Sequence, residues 1–232
     1  MIAEAIVLAG GKAERLGSAA GGLPKALVPV GDRPLAAYQV ELLVAAGVRR
    51  VLVSCLSGHG AMFEAALTGI GADIIPVEES EPLGRGGGLR YASQHRLDTG
   101  PVLAMNGDEL LDVDLGALVR RHDETGAAAT VTVTPLRSGL GVVELDDDVV
   151  TGFREAPRLP YWVNCGLYVL GEEAIERLPE RGDHERTTFP ELAAERRLRA
   201  FFHDGVWLTV NTPKELRVAR EFVAANPDWR QS

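Results

Sequence analysis

Among its 232 residues the chain has only two cysteines and three each of methionine and tryptophan. Cys55 and Cys165 both sit in apolar, strand-like stretches. Neither a disulfide framework nor a zinc site has enough ligands, and two buried free thiols are expected. No uninterrupted apolar run approaches the roughly 20 residues that a membrane-spanning helix needs, and Met1 leads into a strand-like segment with no basic leader. A cytoplasmic protein with no membrane partner is expected. Positive charge is also in deficit, because 24 Lys and Arg face 33 Asp and Glu for a net charge of −9. Backbone affinity for nucleic acid rests on clustered cations, so that partner is excluded and any phosphate must be captured locally. Repeats, low-complexity tracts and linkers are missing too. What is present, 46% apolar and 25% charged residues, is the composition of one soluble domain over residues 1–232 that buries a sizeable core.

Hydrophobic patterning gives the organisation. Ile2 to Leu8 is short, apolar and followed by Ala9-Gly10-Gly11, which predicts a buried strand entering a glycine loop. Pro34 to Ala46 at helical spacing, Val51 to Cys55 as a strand, a short helix at Ala61 to Leu67 and a strand at Ala72 to Val77 continue a βαβαβ rhythm. Val102 to Met105 is a further buried strand and Leu115 to Glu124 a helix. Such alternation implies a mostly parallel sheet covered on both faces, with ligands at the carboxyl ends of its strands. After Ala128 to Pro135, Gly141 to Leu145 and Val149 to Phe153 flank the acidic turn Asp146-Asp147-Asp148 and read as a hairpin. Tyr161 to Leu170, Leu198 to His203 and Val206 to Val210 are strands and Phe189 to Glu195 a short helix. Thr212 caps a closing helix to Asn226, with Pro213 at its first position. The fold class is therefore α/β, a Rossmann-like doubly wound mixed sheet with a small antiparallel part. Residues 1–110 form a nucleotide-binding half and 111–232 a second half.

The loop Leu8-Ala9-Gly10-Gly11-Lys12-Ala13-Glu14-Arg15-Leu16-Gly17 places small residues at a strand end and then cations. Glycines let backbone N–H groups approach phosphate oxygens, and arginine holds such oxygens bidentately. Taken alone, the loop is equally an ordinary βα connection. Its continuation, Leu23-Pro24-Lys25-Ala26-Leu27-Val28-Pro29-Val30-Gly31-Asp32-Arg33-Pro34-Leu35, makes the pair similar to the signature of the sugar-1-phosphate nucleotidyltransferases, the NDP-sugar pyrophosphorylase family. Glu79 through Leu89 resembles that family's base and sugar loop, and Asn106-Gly107-Asp108 its metal-aspartate motif. Gly141-Val142-Val143, Phe153 to Pro157, Asn164 to Val169 and Trp207 to Pro213 follow in the family's order. The resemblance spans nearly the whole chain and is closest to the short mannose- and heptose-1-phosphate guanylyltransferases.

It implies the nucleotide-diphospho-sugar transferase fold and an in-line attack by a sugar or cyclitol 1-phosphate on the α-phosphorus of a nucleoside triphosphate. Such a transfer needs positioning and charge neutralisation and no covalent nucleophile from the protein. By resemblance, Arg15 holds the β- and γ-phosphates, Lys25 neutralises the α-phosphate and the incoming phosphate, and Asp108 ligates Mg²⁺. Leu8, Ala9, Gly10, Gly11, Glu79, Gly84 and Gly87 bind the nucleotide; Arg85, Asn106, Gly141, Glu155 and Asn164 bind the acceptor. A carboxylate at Glu79 suits the N1–H and N2–H₂ donors of guanine, which favours GTP over UTP or CTP. Two positions depart from the pattern. Ala156 replaces the lysine of Glu-Lys-Pro, so Arg85, Arg154 or Arg158 must supply the cation. Thr209 replaces the second metal aspartate, and Val210-Asn211-Thr212-Pro213 is similar to the molybdenum-cofactor branch of the superfamily. A molybdopterin-like acceptor, or a catalytically weakened nucleotide-binding regulator or assembly partner of an active paralogue, stays open on these departures, and a homo-oligomer stays open as well.

Overall fold

The computed structural model describes residues 2–229. Strands β1 (Glu4–Leu8), β2 (Pro29–Val30) and β3 (Arg33–Pro34) precede helix α1 (Leu35–Ala45), and β4 (Arg50–Leu56), α2 (Gly60–Leu67) and β5 (Asp73–Glu79) follow. Helix α3 (Gly84–Ser93), β6 (Val102–Asn106), β7 (Glu109–Leu111) and α4 (Leu115–Thr125) lead into β8 (Ala129–Arg137). The rest comprises β9 (Val142–Asp146), β10 (Val149–Arg154), β11 (Arg158–Leu170), α5 (Glu172–Glu176), α6 (Thr188–Ala194), β12 (Leu198–Phe202), β13 (Trp207–Thr209) and α7 (Pro213–Ala225).

Seven strands form one sheet in the order β12-β8-β11-β6-β1-β4-β5. All neighbours run parallel except β11, which is antiparallel to both β6 and β8. Alternation along the central strands explains why helices cover both faces. In β1, Ala5 and Val7 point into a core shared with α1, α2 and α4, whereas Ile6 points into one shared with α3, α5 and α6. The same period of two puts Leu103 and Met105 of β6 in the first core and Val102 and Ala104 in the second. A third cluster, with Leu16, Val30, Tyr38, Leu110 and Leu216, seats α7 against the glycine-loop region and the two-stranded β13–β7 ladder.

Local signals account for several boundaries. Asp114 caps α4 by accepting from the Ala117 N–H at 2.8 Å, and Gly126 ends it at φ 56°. Thr212 caps α7 with Pro213 in its first turn, as the sequence predicts, and Glu215 completes a capping box there. The acidic turn joins β9 to β10 as an antiparallel hairpin, and Asp147 adopts φ 50° there. Two expectations shift. The stretch read as a single strand from Val206 to Val210 is a three-residue strand outside the main sheet, paired with β7. Residues after Glu79, read as loop, become helix α3 from Gly84 onward. Among the described residues no helix is long and apolar enough to cross a membrane.

Candidate active site

In sequence order the sheet reverses at β1, which has β4 on one side and β6 on the other. The crevice beyond the carboxyl ends of strands at such a reversal is where open α/β sheets bind ligands. A cavity of about 540 Å³ lies there. Its lining includes Leu8 at the end of β1, Ser54 on β4, Glu79 at the end of β5 and Asn106 at the end of β6.

One wall is the glycine loop. Ala9 N–H donates to the Ser54 carbonyl at 2.7 Å, and Gly107 N–H donates to the Leu8 carbonyl at 2.8 Å, which clamps both strand ends. A Cβ on Gly107 would lie 2.4 Å from the Leu8 oxygen, so only glycine permits this approach. Leu8, Ala9, Gly10, Gly11 and Arg15 all line the cavity. Leu16 and Ala20 are buried and anchor the 3-10 stretch that carries Arg15.

Glu79 forms the second wall. It is 5% exposed. Its Oε1 accepts from the Ser54 hydroxyl at 2.5 Å and its Oε2 from the Leu83 N–H at 2.9 Å, leaving each oxygen a further lone pair. The acid cluster around it is split by its contacts. Glu78 accepts from the Gly58 and Gly60 N–H groups, and Glu81 pairs with Arg181.

The third wall carries the charges. Lys25 Nζ donates to Asp108 Oδ2 at 2.5 Å and to Asn211 Oδ1, and Arg15 Nη2 donates to the same Asn211 oxygen at 2.8 Å. Gln39, buried on α1, holds the turn before and after Asp108 by donating to the Asn106 and Glu109 carbonyls at 2.8 and 2.9 Å. Asn106 lines the cavity, and its Oδ1 is buried with no hydrogen-bond partner among the described residues. Burial, aided by the neighbouring Asp108 charge, pushes the Glu109 carboxyl well above the usual carboxylate range, against the indole N–H that Trp207 donates to it at 2.8 Å.

Sequence-predicted residues therefore divide. Arg15, Lys25, Asp108, Glu79, Gly84, Arg85 and Asn106 join the glycine loop around the cavity. Gly87 lies outside the lining, beneath residues 180–181: a Cβ there would meet the Glu180 carbonyl at 2.7 Å. Gly141 packs against the Phe153 ring and the Glu155 carboxylate at the root of the hairpin, also outside the lining. Asn164 spends its amide on Tyr168 Oη (2.8 Å), Glu185 Oε1 (2.7 Å) and the Gly166 N–H (2.8 Å). Thr209 pairs with Glu109 across the β13–β7 ladder and does not line the cavity; Asn211, two residues on, does. Of the cations that were candidates for the place of the missing lysine, Arg154 pairs with Glu144 and Arg158 with Asp204, while Arg85 lines the cavity. The Arg85 guanidinium is held by Asp183 and by Glu185, whose Oε2 lies 2.7 Å away. Ser54, Glu109, Gln39 and Asn211 are the contributors that motif reading left out.

The fold and this cavity define an α/β protein that presents a glycine loop, the cations Arg15, Lys25 and Arg85 and the acids Glu79, Asp108 and Glu109 at the carboxyl end of its sheet. The chain belongs to the nucleotidyl transferase family, whose model matches residues 4–226. It is 31% identical over 221 residues to a mannose-1-phosphate guanyltransferase of Yarrowia lipolytica and 32% identical over 229 residues to one of Candida albicans; each match covers 90% of this chain. The chain spans 61% of the length of each of these relatives. The crystal structure of HddC from Yersinia pseudotuberculosis complexed with GMP-PN shares the fold, with a TM-score of 0.73 at 21% identity over 95% of this chain and 99% of that one.

Proposed function

We propose that this protein is a guanylyltransferase that condenses GTP with a sugar or cyclitol 1-phosphate to give a GDP-sugar and pyrophosphate. The observation that carries the reading is one cavity with the buried Glu79 carboxylate on one wall and Arg15, Lys25 and Asp108 on another. An oxygen of the acceptor phosphate forms the new bond to the α-phosphorus, and the α–β bridging bond breaks to release pyrophosphate. Lys25 lies where it offsets charge on the α-phosphate and the incoming phosphate. Arg15 takes the β- and γ-phosphates, and Gly10 and Gly11 of the loop supply backbone donors. Arg85 and Asn106 face the acceptor, with Asn164 acting behind them through Glu185. In this reading residues 1–110 carry the nucleotide and 111–232 the sugar phosphate within one domain, working in the cytoplasm without nucleic-acid or membrane partners.

Among the described residues no group of three His, Cys, Asp or Glu converges as a metal site. The donor set on the wall that carries Arg15 and Lys25 is the Asp108 carboxylate, since both cations hold the Asn211 oxygen. That set fits Mg²⁺, which takes few protein ligands and fills its octahedron with phosphate oxygens and water. When bound, Mg²⁺ supplies charge neutralisation to the phosphates, and Asp108 would hold it. Relatives named as mannose-1-phosphate guanyltransferases support the guanylyltransferase reading.

Base choice tests it. Guanine presents two adjacent donors to the Glu79 oxygens, whereas uracil offers one donor between two carbonyls that a carboxylate repels. Pyrophosphate release with each nucleoside triphosphate, Mg²⁺ and a panel of sugar 1-phosphates is expected to favour GTP over UTP at least about tenfold in kcat/KM, since about 1.4 kcal/mol of differential binding suffices. Glu79→Gln is expected to narrow that gap. Equal use of GTP and UTP by the wild type, or a variant with unchanged preference, overturns the guanine assignment.

A further inference from the structure

Asn211 lies in the turn between β13 and α7, one residue before the Thr212 cap. The capping box fixes its backbone, because Asn211 N–H donates to Glu215 Oε2 at 2.7 Å. The neighbouring Val210 N–H donates to the Asp108 carbonyl at 2.9 Å, so this turn is tied to the end of β6 through Asp108. From that rigid seat a single amide oxygen accepts from Arg15, which is 196 residues away, and from Lys25, which is 186 residues away. Lys25 also reaches Asp108. The four side chains line one corner of the cavity.

The charge of that corner depends on residue 211. Arg15 and Lys25 bring two positive charges and Asp108 one negative, and the buried Glu109 carboxyl lies beside Asp108 in the same lining. The Glu215 carboxylate is taken up by the backbone N–H groups of Asn211 and Thr212 and lies outside the cavity lining. An aspartate at 211 would accept the same hydrogen bonds and add one negative charge against the two cations. An amide orients both cations and cancels nothing.

We propose that Asn211 is a positioning residue that sets Arg15 and Lys25 for a polyphosphate while leaving their net positive charge intact. The inference rests on reading the cavity as a polyphosphate site. It predicts opposite signatures for two substitutions. Asn211→Asp keeps the geometry and loses the charge, so affinity for an anion falls. Asn211→Ala keeps the charge and loses the geometry, so turnover falls while affinity holds.

The test measures binding of inorganic pyrophosphate in EDTA, which reads the cations with no contribution from base, sugar or metal, alongside kcat for nucleotidyl transfer and thermal melting. Asn211→Asp is expected to weaken metal-free pyrophosphate binding at least about tenfold. Asn211→Ala is expected to stay within about threefold of wild-type affinity and to lose at least about tenfold in kcat, since misplaced contacts cost rate before they cost binding. Both should melt like the wild type. An aspartate variant that binds pyrophosphate as tightly as the wild type, an alanine variant with full kcat, or a wild type that binds no pyrophosphate overturns the proposal. The aspartate variant is isosteric and decides the matter even where the alanine variant fails to fold. If the wild type binds pyrophosphate but does not use GTP, the guanylyltransferase reading fails while the pyrophosphate series still reads Asn211.

Discussion

Asp108→Ala, Lys25→Ala and Arg15→Ala are each expected to lower Mg²⁺-dependent pyrophosphate release by about 10²–10³-fold, the usual cost of removing one preorganised charge contact from a transition state. The loss should appear in kcat more than in KM for Arg15 and Lys25, because charge on the leaving pyrophosphate grows as the α–β bond breaks. Lys25 and Asp108 hold each other at 2.5 Å and share the corner with Asn211. Their losses should therefore be non-additive: the double variant Lys25→Ala/Asp108→Ala is expected to be little worse than the poorer single one. Steady-state kinetics with the accepted sugar phosphate settles this. Retention of most activity by Arg15→Ala or Asp108→Ala would mean that the reacting atoms lie elsewhere.

Much of this corner was legible in the sequence because its parts are local. The glycine loop follows an apolar strand, Asp108 closes another, and the Thr212 cap and Pro213 mark the start of α7; each signal spans only a few residues. Asn211 was not legible as a contact, because its partners lie some 190 residues upstream in the chain. Its position two residues beyond Thr209 matters only once β13 is seen to pair with β7, which turns Thr209 toward Glu109 and brings Asn211 to the cavity.

Helix α3 was hidden for a different reason. The run Gly84-Arg85-Gly86-Gly87-Gly88 opposes helix formation, since each interior glycine costs about 1 kcal/mol relative to alanine. Tertiary packing overrides propensity here. A Cβ on Gly86 would lie 2.7 Å from the His184 nitrogen and from the Pro179 ring, and one on Gly88 would lie 2.7 Å from Glu79 Oε1. The glycines let residues 179–184 lie directly on the first turns of α3 and let the Glu79 carboxylate lie against Gly88. Gly87, a nucleotide contact by resemblance, therefore serves close packing against residues 180–181 of that segment.

That packed segment contains the residue with the largest expected effect on stability. His184 is fully buried, edge-on to Tyr168 and Phe189 at 5.3 and 4.6 Å, and neither ring nitrogen has a hydrogen-bond partner among the described residues. Burial pushes its imidazole down from 6.5 to about 4; the nearby Asp183 carboxylate opposes the shift and Arg85 adds to it. The folded protein thus refuses a proton that the unfolded chain accepts. From about pH 7.5 upward both states are essentially neutral and the residue adds no pH dependence. As the pH falls from 6.5 to about 4 the unfolded state alone gains protons, and stability is expected to decline by up to about 3 kcal/mol at the bottom of that window. His184→Phe keeps an aromatic ring in the same cluster and has no proton to refuse. Urea unfolding of both proteins at several values between pH 7.5 and 4 isolates the contribution, because other acid-sensitive groups are common to the two. The stability difference between variant and wild type should be constant above about pH 7.5 and shift in favour of the variant below it. His184 lies between Asp183 and Glu185, the two acids that hold Arg85 at the cavity, so acid-induced opening should begin at this wall. A difference that stays flat down to pH 4 would show that the ring is protonated in the fold or open to water.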